Sequence, residues 1–131
     1  ATKEKISVVA DQFGAPTTAA LLADVTSHVV ASILKDSANL SAPYGVYHLA
    51  ASGKTCWHEY AQFVVNLAHE KGKSLVLSTD HITAISTIEY PTPAIRPANS
   101  SLDTSKFQNA FDLQLPDWQI GVRHVLEQVL S

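Results

Sequence analysis

Strand-forming sequence is scarce in this chain, and that scarcity limits its architecture more than any other feature. Three stretches read as strands: the β-branched run Ile6–Ala10, then Val46–Leu49, then Leu75–Leu77. Three strands this short make a poor sheet by themselves. The first is therefore expected to belong to a larger sheet whose other strands are not in this chain. Helical periodicity is stronger. Leu22, Val25, Val29, Val30, Ile33 and Leu34 recur at helical spacing, with Thr17 or Thr18 as N-cap. Tyr60, Phe63, Val64, Leu67 and Ala68 stripe a second helix. Thr55, closing a Ser52–Thr55 turn, is its expected N-cap, and Gly72 its stop. Asp103 suits a cap for a short helix through Phe107 and Phe111. The last helix carries Trp118, Val122, Val125, Leu126 and Val129 on one face, with Pro116 near its first turn. Residues 36–45 read as loop, and Pro91, Pro93 and Pro97 forbid a continuous helix or central strand within 80–101. The alternation gives an α/β class, or α+β for the piece taken alone, with 1–131 as a single domain.

Composition narrows the function. At 131 residues, 46% hydrophobic and 16% charged, the chain can bury a core without a disulfide or metal. A net charge of -3 leaves no broad basic face for nucleic acid. No apolar run approaches the ~20 residues that span a membrane, and the polar start lacks a signal-peptide core. Cys56 is the single cysteine, read as a packed thiol. These features fit the cytoplasm.

Several chemistries can be excluded by spacing. Gly14, Gly45, Gly53, Gly72 and Gly121 lie too far apart for a dinucleotide-binding G-x-G-x-x-G. No Tyr is followed four residues later by Lys, and there is no G-x-S-x-G elbow. His58-Glu59 opens like a zinc motif, but Gln62 stands where the second His is needed, so no metal site is expected. Ser52-Gly53-Lys54-Thr55 imitates the end of a phosphate-binding loop, yet His48 occupies the position of its first Gly. Gly53 then simply makes a turn.

Two stretches are richer than packing requires. In Asp11-Gln12-Phe13-Gly14-Ala15-Pro16-Thr17, Gln12 offers a donor and an acceptor, and Phe13 a flat apolar face. That pair could hold a base edge or stack on a ring; the alternative is a turn packed by Phe13. In Tyr90–Lys106, Arg96 is a cation on a proline-stiffened loop, suited to bidentate contact with a diphosphate, with Asn99 and Ser100 able to reach sugar hydroxyls. Its alternative is a surface ion pair.

These strings, with Gly45-Val46-Tyr47-His48-Leu49, Trp57-His58-Glu59-Tyr60-Ala61, Tyr90-Pro-Thr-Pro-Ala, Arg96-Pro97 through Leu102 and Leu115-Pro116-Asp117-Trp118, resemble the C-terminal, substrate-binding part of dTDP-4-dehydrorhamnose reductases. The matches run in order over nearly the whole chain. The resemblance implies a Rossmann-type reductase of the extended short-chain dehydrogenase class. Such enzymes reduce the 4-keto group of dTDP-6-deoxy-L-lyxo-4-hexulose to dTDP-L-rhamnose with NADPH or NADH. Their cofactor site and Tyr-x-x-x-Lys pair lie in an N-terminal Rossmann domain preceding the matched part, so this chain alone is expected to bind no cofactor, to hold no catalytic residue and to be inactive. Carried over, Gln12 and Phe13 would lie beside the dTDP-sugar, Arg96 on its diphosphate, and Asn99 would support that loop. Trp57 and Trp118 are read as core anchors. A homodimer is implied as possible, but Ala20 replaces a Glu through which some relatives bridge a dimer with metal. The other function class is a non-catalytic regulatory or interaction module related to these reductases.

Overall fold

The computed structural model describes residues 3–35 and 43–131. Its element order is β1 (Ile6–Val9), β2 (Phe13–Gly14), α1 (Ala19–Lys35), β3 (Thr55–Cys56), α2 (Trp57–Glu70), β4 (Ile82–Ile85), α3 (Ser105–Phe111) and α4 (Trp118–Leu130), with single 3-10 turns at Thr79–His81 and Thr87–Glu89. The class is therefore as expected: four helices and few short strands among the described residues.

α2 is the centre of the fold, because its apolar stripe wraps far enough to serve two cores. One side packs Val65 with Leu77 and Ile82, supported by Ile6, Val8, Ala61 and Leu75. The other carries Tyr60, Phe63 and Val64 against Ala51, Trp118 and Val122, with Leu21 and Leu126 at the margin. Phe63 and Trp118 meet edge to face at 5.1 Å. Both ends of α2 are fixed by sequence. Cys56, rather than Thr55, is the N-cap: its Sγ accepts from the Glu59 N–H at 3.5 Å, and Glu59 Oε2 accepts from the Cys56 N–H at 3.3 Å. Thr55 is instead buried in β3 and donates its hydroxyl to the same Glu59 oxygen. At the other end Gly72 (φ +73°) allows a Schellman closure, with its N–H on the His69 carbonyl and that of Lys73 on Ala68.

Two expected strands are absent among the described residues. Val46–Leu49 joins no ladder: Val46 is 82% exposed, and Tyr47 meets Phe111 and Phe107 at 5.3 and 6.0 Å. Leu75–Leu77 supplies side chains to the core, but its Leu77 carbonyl meets the His69 ring at 3.1 Å instead of a neighbouring strand. The real partner of β1 is β4, in a stretch unassigned from sequence. They pair in parallel, Ile6 opposite Ile82 through Val9 opposite Ile85, with α2 packed on both. β2 and β3 form a second, antiparallel pair.

Helix α1 begins where expected, with the Thr18 hydroxyl accepting the Leu21 N–H. It contains no buried residue, and Leu22, Val30 and Leu34 stand exposed. The expected loop over 36–45 falls largely outside the described residues. Asp103 is not the N-cap of α3: Thr104 holds that position without a side-chain bond, and Asp103, one residue earlier, accepts the N–H of Ser105 at 2.9 Å. Among the described residues no helix is long and apolar enough to cross a membrane.

Candidate functional site

The end of β1 turns directly into Asp11–Thr17, and the loop after β4 runs beside it because β1 and β4 are parallel and end together. Backbone bonds then lace the two loops. The Phe13 N–H donates to the Ala98 carbonyl at 2.9 Å, and the Ser100 N–H to the Phe13 carbonyl at 2.8 Å. The two stretches singled out by sequence, some eighty residues apart, thus form one wall.

Two hollows open on this wall. The larger, about 490 Å³, is lined by the Gln12–Thr17 loop, by Thr55, Cys56, Trp57 and Tyr60 at the start of α2, and by Arg96, Pro97 and Ser100. The smaller, about 300 Å³, lies along β1 and is closed by Gln12, Trp57, Tyr90, Thr92 and Arg96. Gln12, Trp57 and Arg96 line both, so the hollows are adjoining parts of one cleft. Their volumes fall in the roughly 300–1,000 Å³ range of small-molecule sites.

Arg96 is exposed, and among the described residues it enters no salt bridge; the two ion pairs present, Lys71–Glu127 and Arg123–Glu70, lie elsewhere. The surface-pair alternative for Arg96 therefore has no partner here. Phe13 lines the larger hollow and carries the Lys54 ammonium 4.6 Å from its ring centroid. Asn99 does not line either hollow. Its Oδ1 accepts the Ser101 N–H at 3.1 Å, and its backbone bridges to Phe13, so it shapes the Arg96 loop from behind.

A hydrogen-bond hub lies under Gln12. The Thr87 N–H donates to both Asp11 oxygens at 2.9 and 3.0 Å, and the Thr87 hydroxyl donates to Asp11 Oδ1 at 2.6 Å. These donors hold the Asp11 carboxyl below its ordinary value. Gln12 Nε2 donates to Thr87 Oγ1 at 3.1 Å.

Trp57 is not the core anchor that the sequence suggests. It is 51% exposed and lines both hollows, whereas Trp118 at 5% is the core residue. Its position as the first residue of α2, directly after the N-cap, was the available signal: a side chain there projects beyond the stripe that begins at Tyr60. Tyr90, which lines the smaller hollow, and Thr87, bonded to Asp11 and Gln12 but without a distinguishing sequence pattern, are two further site residues. The phosphate-loop imitation resolves as a turn. Ser52 exchanges backbone bonds with Pro116 and Trp118, and Gly53 (φ +85°) sits so close to Asp117 that a Cβ would lie 2.5 Å from its Oδ2. Among the described residues no group of His, Cys, Asp and Glu is placed to hold a metal ion.

The model of the RmlD substrate binding domain matches residues 1–131. Curated relatives named dTDP-4-dehydrorhamnose reductase share 46% identity over 129 residues in Shigella flexneri and in Escherichia coli K12, and 38% in Burkholderia thailandensis. Each alignment covers 98% of this chain, which spans about two fifths of the relatives' length (41% for the first two, 43% for the third). A dTDP-4-dehydrorhamnose reductase from Bacillus anthracis, solved in complex with NADP, superposes with TM-score 0.73 at 26% identity over 96% of this chain and 39% of that one. The Clostridium acetobutylicum structure, at TM-score 0.77 and 23% identity over 99% of this chain and 40% of that one, shares the fold.

Proposed function

This chain belongs to the RmlD substrate binding domain family, and from that premise we propose that its cleft holds the dTDP-sugar of a dTDP-4-dehydrorhamnose reductase. The single observation that carries the reading is Arg96: a guanidinium on the rim common to both hollows, with no carboxylate partner among the described residues. A diphosphate there would receive a bidentate, charge-assisted contact. Gln12 and Phe13 then face the nucleotide-sugar, and Asn99 holds the Arg96 loop in place.

The reaction assigned to the whole reductase is reduction of the 4-keto group by NADPH or NADH, in the cytoplasm. We assign the nicotinamide dinucleotide to residues beyond those described, on the spacing and use of the glycines. Gly53 and Gly72 serve a turn and a helix cap, and Gly121 faces Thr18, with a Cβ there 3.0 Å from its methyl. Gly14 and Gly45 each stand alone in sequence, so among the described residues no glycine-rich crossing from strand to helix is left to cradle a pyrophosphate. The cofactor and the proton donor are therefore assigned to a Rossmann portion of the reductase, and the 131 residues alone to binding without turnover. The parallel pair β1–β4 supports such a partner, because parallel strands are stable when built into a wider, covered sheet. The exposed apolar residues of α1 suit a contact with further protein, a second copy included.

The test is calorimetric titration of the chain with dTDP. Binding is expected, and Arg96→Ala is expected to weaken it by about 1.5–3 kcal/mol, the range for a hydrogen bond to a charged group. Undiminished affinity in that variant would remove Arg96 from the site. Tight binding to a protein partner with no response to dTDP would favour the regulatory-module reading.

A further inference from the structure

The hub beneath Gln12 fixes more than position. An ionised carboxylate can only accept, so the single proton of the Thr87 hydroxyl must point to Asp11 Oδ1, 2.6 Å away. The Thr87 oxygen is then left as an acceptor. Whatever Gln12 brings to it at 3.1 Å must be a donor, which only the amide NH2 can be. This polarity follows from the chemistry of the three groups, independently of how the amide oxygen and nitrogen are assigned. The carbonyl Oε1 is thereby set on the other fork of the amide. Among the described residues it has no protein partner, while Gln12 lines both hollows.

We infer that Thr87 is a positioning residue which, with Asp11, locks the Gln12 amide so that its Oε1 faces the bound ligand, making Gln12 select a ligand group that donates a hydrogen bond. The inference rests on the reading that the cleft holds a nucleotide-sugar. It deepens that reading by naming the polarity of one contact. On such a ligand the donors are the base N–H and the sugar hydroxyls; a diphosphate oxygen cannot serve. Gln12 and Arg96 therefore divide the ligand, the first taking a donor and the second an anion.

The experiment is a double-variant cycle on the chain with dTDP-glucose as the probe, joined to hydrogen exchange of the Gln12 side-chain amide by NMR. Gln12→Met should weaken binding about tenfold, as for loss of one well-placed hydrogen bond. Thr87→Val and Asp11→Ala, each of which removes the acceptor-donor chain to Gln12, should each weaken it comparably, and Thr87→Ser should leave it unchanged. Combining Thr87→Val with Gln12→Met should cost no more than Gln12→Met alone, because Thr87 acts through Gln12. A merely structural Thr87 would instead give additive losses, and additivity overturns the inference. So does a Gln12→Met variant that binds as well as the unaltered chain. The exchange measurement separates the two ideas. One Gln12 amide proton should be protected in the unaltered chain and in Thr87→Ser, and unprotected in Thr87→Val. Protection that persists in Thr87→Val overturns the relay even if dTDP-glucose binds. Protection lost as expected, in a chain that fails to bind dTDP-glucose, upholds the relay and overturns the nucleotide-sugar reading.

Discussion

Replacing Gly53 with Ala tests whether the Ser52–Thr55 segment is a structural turn or a phosphate loop. Gly53 has φ +85°, where an L side chain costs about 1–2 kcal/mol. The new Cβ would also lie 2.5 Å from Asp117 Oδ2 and 3.0 Å from Trp118 Cδ1. Trp118 is 5% exposed and locked against Phe63, so it cannot yield. Asp117 can rotate away, but its Oδ1 accepts the Gln119 N–H at 2.9 Å and caps α4. Losing that cap costs about 1 kcal/mol. The sum is about 2–3 kcal/mol, or a fall in Tm of roughly 6–15 °C for a domain of this size. Thermal unfolding followed by circular dichroism measures it. Asp117→Ala alone should cost only the cap. The double variant should cost less than the two singles added, by about 1 kcal/mol, because the clash and the cap are then lost together. A Gly53→Ala chain that melts with the unaltered one would refute the packing argument. A variant that folds normally but loses dTDP would move the phosphate contact to this turn.

Other outcomes follow from the same geometry. Trp57→Ala should weaken dTDP-sugar binding by about 1–3 kcal/mol, the cost of removing an aromatic platform, while its half-exposed ring leaves Tm little changed; a large fall in Tm with intact binding would return Trp57 to the core. Asp11 contributes to stability on the acid side, because Thr87 holds its folded value below the ordinary 3.8. That contribution is present in full above 3.8 and is lost as pH falls through the lowered folded value. Urea midpoints measured against pH should therefore drop more steeply below 3.8 in the unaltered chain than in Asp11→Asn; identical slopes would show that the hub is not formed.

The helices were legible because each carries its signals locally. Thr18 and Gly72 act at the ends where their types suggest, and the stripe Tyr60–Ala68 faces the cores. The strands were not, because pairing is settled by what lies opposite. Val46–Leu49 carries Val and Tyr and Ile82–Ile85 carries Ile, Thr and Ile, so composition does not favour the first, and the aromatic cluster of Tyr47, Phe107 and Phe111 takes the Tyr47 side chain away from any ladder. Ile82–Ile85 buries only its first residue fully and exposes Thr83 and Ala84, so no periodicity announces it. The capping shift from Thr55 to Cys56 has a similar origin. Both can accept at an N-terminus and both lie in β3, opposite Gly14 and Phe13, so the choice follows from where the helix starts: Cys56 directly precedes Trp57, and the Thr55 hydroxyl goes to Glu59 instead.

The cleft shows the same division between what a residue is and what surrounds it. Gln12, Phe13 and Arg96 stood out because their chemistry exceeds what a turn or a surface loop requires, and the parallel β1–β4 register carries them to one wall. Asn99 stood out for the same reason but serves the loop instead, since its amide is occupied one turn away by Ser101. Thr87 did not stand out, because a threonine in a 3-10 turn has no distinguishing pattern. Its importance comes from standing between a carboxylate and an amide seventy-six and seventy-five residues earlier in the chain. Only there does one hydroxyl proton decide which end of Gln12 a ligand meets. The sequence names the groups able to contact a ligand; the fold decides the direction in which each is presented.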